Sequence, residues 1–119
     1  MILIDHVFII HGITKAYRHC YLHNRVISTD IGLIGGVSGI KSINNTVNHE
    51  AHIYDKKDYD IMLNAVLLKK PNILLTHTPL DNKLDVKMHL FCHSHMTEYI
   101  NIINNSLILN MDRRIFIWE

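Results

Sequence analysis

Apolar and polar positions change period several times along this chain, and each change marks an element. Residues 2–10 (ILIDHVFII) are rich in Ile, Val and Phe and predict a buried strand, which His11-Gly12 ends. Residues 14–22 fit a short helix or a loop. Residues 25–28 and 32–34 predict two short strands, with Thr29-Asp30 as the turn between them. Gly35-Gly36-Val37-Ser38-Gly39 reads as a loop that bends between strands, because glycines permit positive φ and close backbone approach. It is not a phosphate-cradling loop, since no Gly-Lys-Ser/Thr follows.

Residues 41–55 are polar and predict a solvated loop. The period then becomes helical. Tyr59, Met62, Leu63, Val66 and Leu67 fall at i, i+3, i+4, i+7 and i+8, one face of an amphipathic helix over about residues 58–70. Asp58 and Asp60 suit its N-terminus, Lys69 and Lys70 its C-terminus, and Pro71 stops it. Residues 73–75 and 88–91 predict strands, residues 99–103 and 107–110 a hairpin about Asn104-Asn105, and residues 114–118 a last strand. The fold class this implies is α/β: a mixed β-sheet with one strong amphipathic helix, a single domain over residues 1–119.

Composition narrows the class. Apolar residues are 48% and charged residues 19%, with net charge +1, which suits a globular chain and argues against disorder. That balance offers no footprint for non-specific nucleic-acid binding, so nucleic acid enters only as a possible substrate. Cys20 and Cys92 do not make a disulfide framework. The N-terminus carries Asp5 and His6 and no basic segment, unlike a secretory signal, and no apolar run reaches the roughly 20 residues of a membrane span. An intracellular, cytoplasmic protein is therefore expected, with no membrane partner.

Ten histidines stand out, against about four expected at this length. The informative stretch is residues 72–96, where two apolar runs each end in histidine: Thr76-His77-Thr78-Pro79 and Cys92-His93-Ser94-His95. Imidazoles at the C-terminal ends of neighbouring strands converge outside a sheet. His93 and His95 are two apart, so an extended backbone aims both at one side. His77, His93 and His95 are thus the candidate metal ligands; the alternative is that each caps a strand end and bonds backbone. Other patterns are weaker. His49-Glu50-Ala51-His52 is one residue short of the zinc motif HExxH. Cys92 as a soft-metal ligand competes with a small buried strand residue. Cys92-His93 catalysis is disfavoured because adjacent strand residues face opposite ways. A relaxase-type nuclease would want an apolar residue where Ser94 stands, and Tyr54-Asp55-Lys56-Lys57 precedes the histidines, the wrong order for that family.

LLTHTP and LFCHSHM resemble the second half of the calcineurin-like metallophosphoesterases, whose pattern is strand–(T/S)H–x–P, a variable loop, then strand–GHxH; Cys92 stands in place of the usual glycine. The resemblance extends upstream to the glycine run from Gly32 to Ile40, similar to the segment before the substrate loop in the RNA-lariat-debranching branch. It extends downstream to Ser106-Leu107-Ile108-Leu109-Asn110-Met111-Asp112, and so covers roughly residues 26–119. The family's early D-x-H and G-D-x-x-D are absent, and at the place of its G-N-H-(D/E) the chain has Gly12, Ile13 and Thr14.

The resemblance implies the C-terminal half of a metallophosphoesterase α/β/β/α sandwich, a truncated domain. It implies metal-dependent hydrolysis of phosphoesters, including nucleotide or nucleic-acid phosphodiesters, weak or incomplete in the isolated chain. His77 and His93 would hold one divalent transition metal (Mn, Zn, Fe or Ni) and His95 a second. Three imidazoles hold one open-site metal, but two ions need a bridging anion. Asp5, Asp30, Glu50, Asp81 or Asp85, or another chain, would have to supply it. The alternative function is an inactive remnant that binds metal or a protein partner. Under both readings a half-sandwich leaves a sheet face and edge open, so a homodimer or a partner chain is expected.

Overall fold

The structure, a computed structural model, describes residues 2–4, 7–9, 22–42, 44, 46–49, 53–77, 79–80, 84–92 and 99–112. Its first elements are two short strands, β1 (Ile2–Ile4) and β2 (Val7–Ile9). They pair antiparallel, Ile2 against Ile9 and Ile4 against Val7. The single strand expected over residues 2–10 is therefore two, because the polar Asp5-His6 step divides the apolar run.

Next come β3 (Arg25–Thr29) and β4 (Gly32–Val37), an antiparallel pair. Gly32 sits at φ 118°, and the Thr29 hydroxyl donates to its carbonyl at 2.8 Å to close the turn. Gly35, Gly36 and Val37 belong to β4 and are buried, so the expected glycine loop is a strand. The reason is packing. A Cβ on Gly35 would lie 2.6 Å from Val66 Cγ1 and 3.2 Å from Pro71, so the glycine lets the helix seat directly on the strand. The bend begins only at Gly39, with φ 92°.

β5 (Ile40–Lys41) and β6 (Ile53–Tyr54) pair parallel, bringing two ends of the expected solvated loop together. Helix α1 (Lys56–Leu67) follows. It starts two residues earlier than the periodicity indicates because Asp55 caps it, its Oδ1 accepting from the Asp58 N–H at 2.7 Å. Tyr59, Leu63 and Val66 are buried, and Met62 and Leu67 are half-buried, the expected face. Lys41 and Asp60 pair at 2.7 Å and tie β5 to the helix. Lys69 and Lys70 lie in the turn beyond the helix, Lys70 at φ 51°, before Pro71.

The rest of the chain completes the main sheet with β7 (Ile73–Thr76), β8 (Met88–Phe91), β9 (Ile100–Ile103) and β10 (Ser106–Asn110). The order is β3-β4-β7-β8-β10-β9. The inner four strands run parallel, and β3 and β9 are antiparallel edges. β4-α1-β7 is a parallel crossover unit, which explains the continuously apolar β7. The expected Asn104-Asn105 hairpin is present: both residues have positive φ, 49° and 68°, as a two-residue primed turn requires. The strand expected over residues 114–118 lies outside the described residues, as do all but Leu22 of residues 14–22.

The fold is thus mixed α/β, a six-strand mixed sheet with one helix. Its core has two sides. Val37, Leu74 and Val86 join Tyr59, Leu63 and Val66 under the helix. Ile34, Ile73, Leu75, Leu90 and Leu109 join Leu22 on the opposite face. Both faces of the central strands are buried within the chain, so the expected open sheet face is not found there. Edge strand β9 presents three exposed isoleucines in one element, Ile100, Ile102 and Ile103, at 59%, 69% and 43%.

Candidate functional site: the C-terminal edge of the parallel strands

Val37, Thr76, Phe91 and Asn110 stand level across the four parallel strands. The residues that follow them, Ser38, His77, Cys92 and Met111, therefore emerge at one sheet edge. Asp112 comes one residue later. In open α/β sheets the carboxyl ends of the strands are where ligands bind. β8 lies between β7 and β10. Strands stand about 4.8 Å apart, so β7 and β10 deliver His77 and Asp112 on either side of Cys92 at roughly twice that spacing.

Each group at this edge has a local setting. His77 is half-buried directly after β7. Cys92 Sγ lies 4.0 Å from Asp112 Oδ1. Burial, and then the Asp112 charge, push the Cys92 thiol above its ordinary pKa. The Asp112 N–H donates to Asn110 Oδ1 at 3.1 Å, which orients the chain as it leaves β10. On the other flank, His23 Nδ1 accepts from the Ser38 N–H at 3.1 Å and lies 2.8 Å from Ser38 Oγ. The His23 ring stacks on Tyr54, centroids 5.9 Å apart and 11° between planes. Ser38 is fully buried, so this pair anchors the end of β4 and has no access to act as a nucleophile.

The sequence-predicted residues divide clearly. His77 is at the edge, as expected. His93 and His95 lie outside the described residues, as do Asp5, Glu50 and Asp81. Cys92, the residue after β8, directly precedes His93 in the sequence. Asp30 and Asp85 are corrected: Asp30 lies in the β3–β4 turn and Asp85 just before β8, both at the opposite, N-terminal edge. A four-residue strand at about 3.3 Å per residue separates the two edges by roughly 13 Å, too far for either carboxylate to share a ligand with His77. His49 of the HEAH segment is exposed beside Tyr54, and its partner His52 lies outside the described residues.

Two residues were not singled out by sequence reasoning. Asp112 was read only as the end of a hairpin strand; its signal is an apolar run, Leu107-Ile108-Leu109, that ends in Asn-Met-Asp at the third strand. His89 was passed over inside Met88-His89-Leu90-Phe91, and its signal is a lone polar residue in a buried strand. It is 2% exposed, with Nε2 2.8 Å from Thr76 Oγ1 and its ring 5.5 Å from that of Phe91. Desolvation lowers its pKa from 6.5 to about 4, so it is neutral at physiological pH.

No family model, curated protein or solved structure matches this chain. Its functional reading therefore rests on the geometry. Among the described residues, no three His, Cys, Asp or Glu side chains form a group able to hold a metal. His77 and Asp112 fit a divalent cation in donor chemistry, and neither completes a site without further ligands. Among the described residues, no helix is long and apolar enough to cross a membrane.

Proposed function

We propose that the C-terminal edge of the sheet is the ligand edge of a metallophosphoesterase-like protein that hydrolyses phosphoesters weakly as an isolated chain. The observation that supports this reading is the parallel register of β7, β8 and β10, which brings His77, the residue preceding His93, and Asp112 to one edge. His77, His93 and His95 are the proposed metal ligands. Asp112 is the proposed carboxylate, in place of Asp30 and Asp85. A bound divalent transition metal would polarise a phosphoryl oxygen and activate water. The chain's own contribution would be imidazole donors, with His77 directly after β7, and one carboxylate, Asp112, at the same edge.

The test is direct. The purified chain should retain one Zn²⁺, Mn²⁺ or Ni²⁺ by elemental analysis, and the double change His93→Ala/His95→Ala should abolish it. Unchanged stoichiometry in that variant refutes the metal site. A second reading, a non-catalytic module that pairs with a second copy or partner chain, is favoured by one feature, the uncharged and exposed edge strand β9. Retained metal without turnover of bis-p-nitrophenyl phosphate, together with a dimer in sedimentation, favours that reading.

A further inference from the structure

Helix α1 packs on the β4 and β7 half of its sheet face through Val37 and Leu74. Over the β8, β10 and β9 half of that face lies a cavity of about 140 Å³. Phe91, Tyr99 and Ile108 give it flat and branched apolar walls. His89, Asn101 and Asn110 add polar groups among them, His89 and Asn101 level with Ile108 and Asn110 level with Phe91. None of its described lining residues is Asp, Glu, Lys or Arg. Ile103 also lines it and is 43% exposed, which puts its mouth at β9.

The chemistry of this lining selects a ligand. A charged group would enter without a counter-charge, at high desolvation cost. A ring with polar edges matches a lining in which one imidazole and two amides stand among apolar side chains. Thr76 Oγ1 lies 2.8 Å from His89 Nε2, and the imidazole lines the cavity. A volume of about 150 Å³ holds one six-membered ring. Two of the strands that form the cavity, β8 and β10, end at the candidate metal edge, and the antiparallel β9 begins there. Pro79 in its lining is two residues past His77, Phe91 is one residue before Cys92, and Asn110 is two before Asp112.

We infer that this cavity is a binding site for a single uncharged, hydrogen-bonding heterocycle, the pyrimidine base of a nucleotide, held against Phe91 with its polar edge on His89. The pocket is argued from its own lining. Its joining to a phosphoester at the neighbouring edge rests on the proposed function, and makes the substrate class a pyrimidine nucleotide.

The experiment uses the full chain in the presence of a chelator, titrated with cytidine, uridine, adenosine, ribose and inorganic phosphate, and followed by calorimetry. Free nucleosides carry no phosphate and the chelator removes metal, so the result is independent of the metal site. Cytidine or uridine should bind saturably and more tightly than adenosine, with no binding of ribose or phosphate. His89→Leu removes the ring nitrogen at similar volume and should weaken binding about tenfold, the order of one lost hydrogen bond. Ile103→Trp acts at the exposed mouth, where folding tolerates it, and should weaken binding by at least as much. Absence of nucleoside binding, which would mean that water alone fills the cavity, overturns the inference. So does tighter binding of adenosine, or undiminished binding in folded Ile103→Trp.

Discussion

His89 carries the most quantitative prediction. It lies on β8, one of the two central strands of the sheet, flanked in register by Leu74 and Ile108, and is 2% exposed. Its pKa is lowered from 6.5 to about 4 by desolvation. The sign follows from proton uptake. Between these values the unfolded chain binds a proton that the folded chain refuses, so stability rises with pH across that window. The contribution is intact above pH 6.5 and is lost progressively as pH falls toward 4. At about 1.4 kcal/mol per pH unit, the loss is about 3 kcal/mol, against a typical total of about 5–15 kcal/mol. His89→Leu removes the titrating group and keeps an apolar side chain of similar size. At pH 7.5 the variant loses the contact with Thr76, a cost of about 1 kcal/mol. Urea midpoints for both proteins, taken in half-unit steps from pH 7.5 to 4, isolate the effect by subtraction, since the other histidines and carboxylates are common to both. The wild type should lose about 3 kcal/mol relative to the variant as pH falls, so that the two stability curves cross. Parallel curves over the whole range would show that His89 is not a buried neutral imidazole.

Three further outcomes are expected. Gly35→Ala drives a Cβ to 2.6 Å from Val66 Cγ1, and overpacking of this kind costs about 1–3 kcal/mol in chemical denaturation; adding Val66→Ala should recover part of the loss, and additive losses would refute the contact. Leu63→Ala empties a position 3% exposed under the helix and should destabilise by about 2–5 kcal/mol, whereas a loss below about 0.5 kcal/mol would place the wrong face inward. Turnover of bis-p-nitrophenyl phosphate with Mn²⁺ should be weak and should fall in Asp112→Asn; robust turnover of about 1 s⁻¹ that is untouched by that change would remove Asp112 from the site.

Much of the architecture was legible along the chain because it is written in local periodicity. The i, i+3, i+4 spacing from Tyr59 to Leu67 specified the helix and its inward face. The apolar runs at residues 73–75 and 88–91 specified two buried strands. Asn104-Asn105 specified the hairpin, since asparagine tolerates the positive φ of a primed turn. His77 was placed at a strand end for the same local reason. What the chain could not express locally was decided by contacts between distant residues. Gly35 reads as part of a bend until Val66 and Pro71 are seen to require a bare backbone there. Asp85 is nearer than Asp112 to His77 in sequence. Parallel strand order nonetheless sends Asp85 to the far edge and Asp112 to the near one. Strand direction and neighbourhood set which ends meet, and a parallel sheet joins residues that no sequence spacing relates. The same holds for His89: only the two strands beside it, and the face they bury, turn an ordinary histidine into a neutral one.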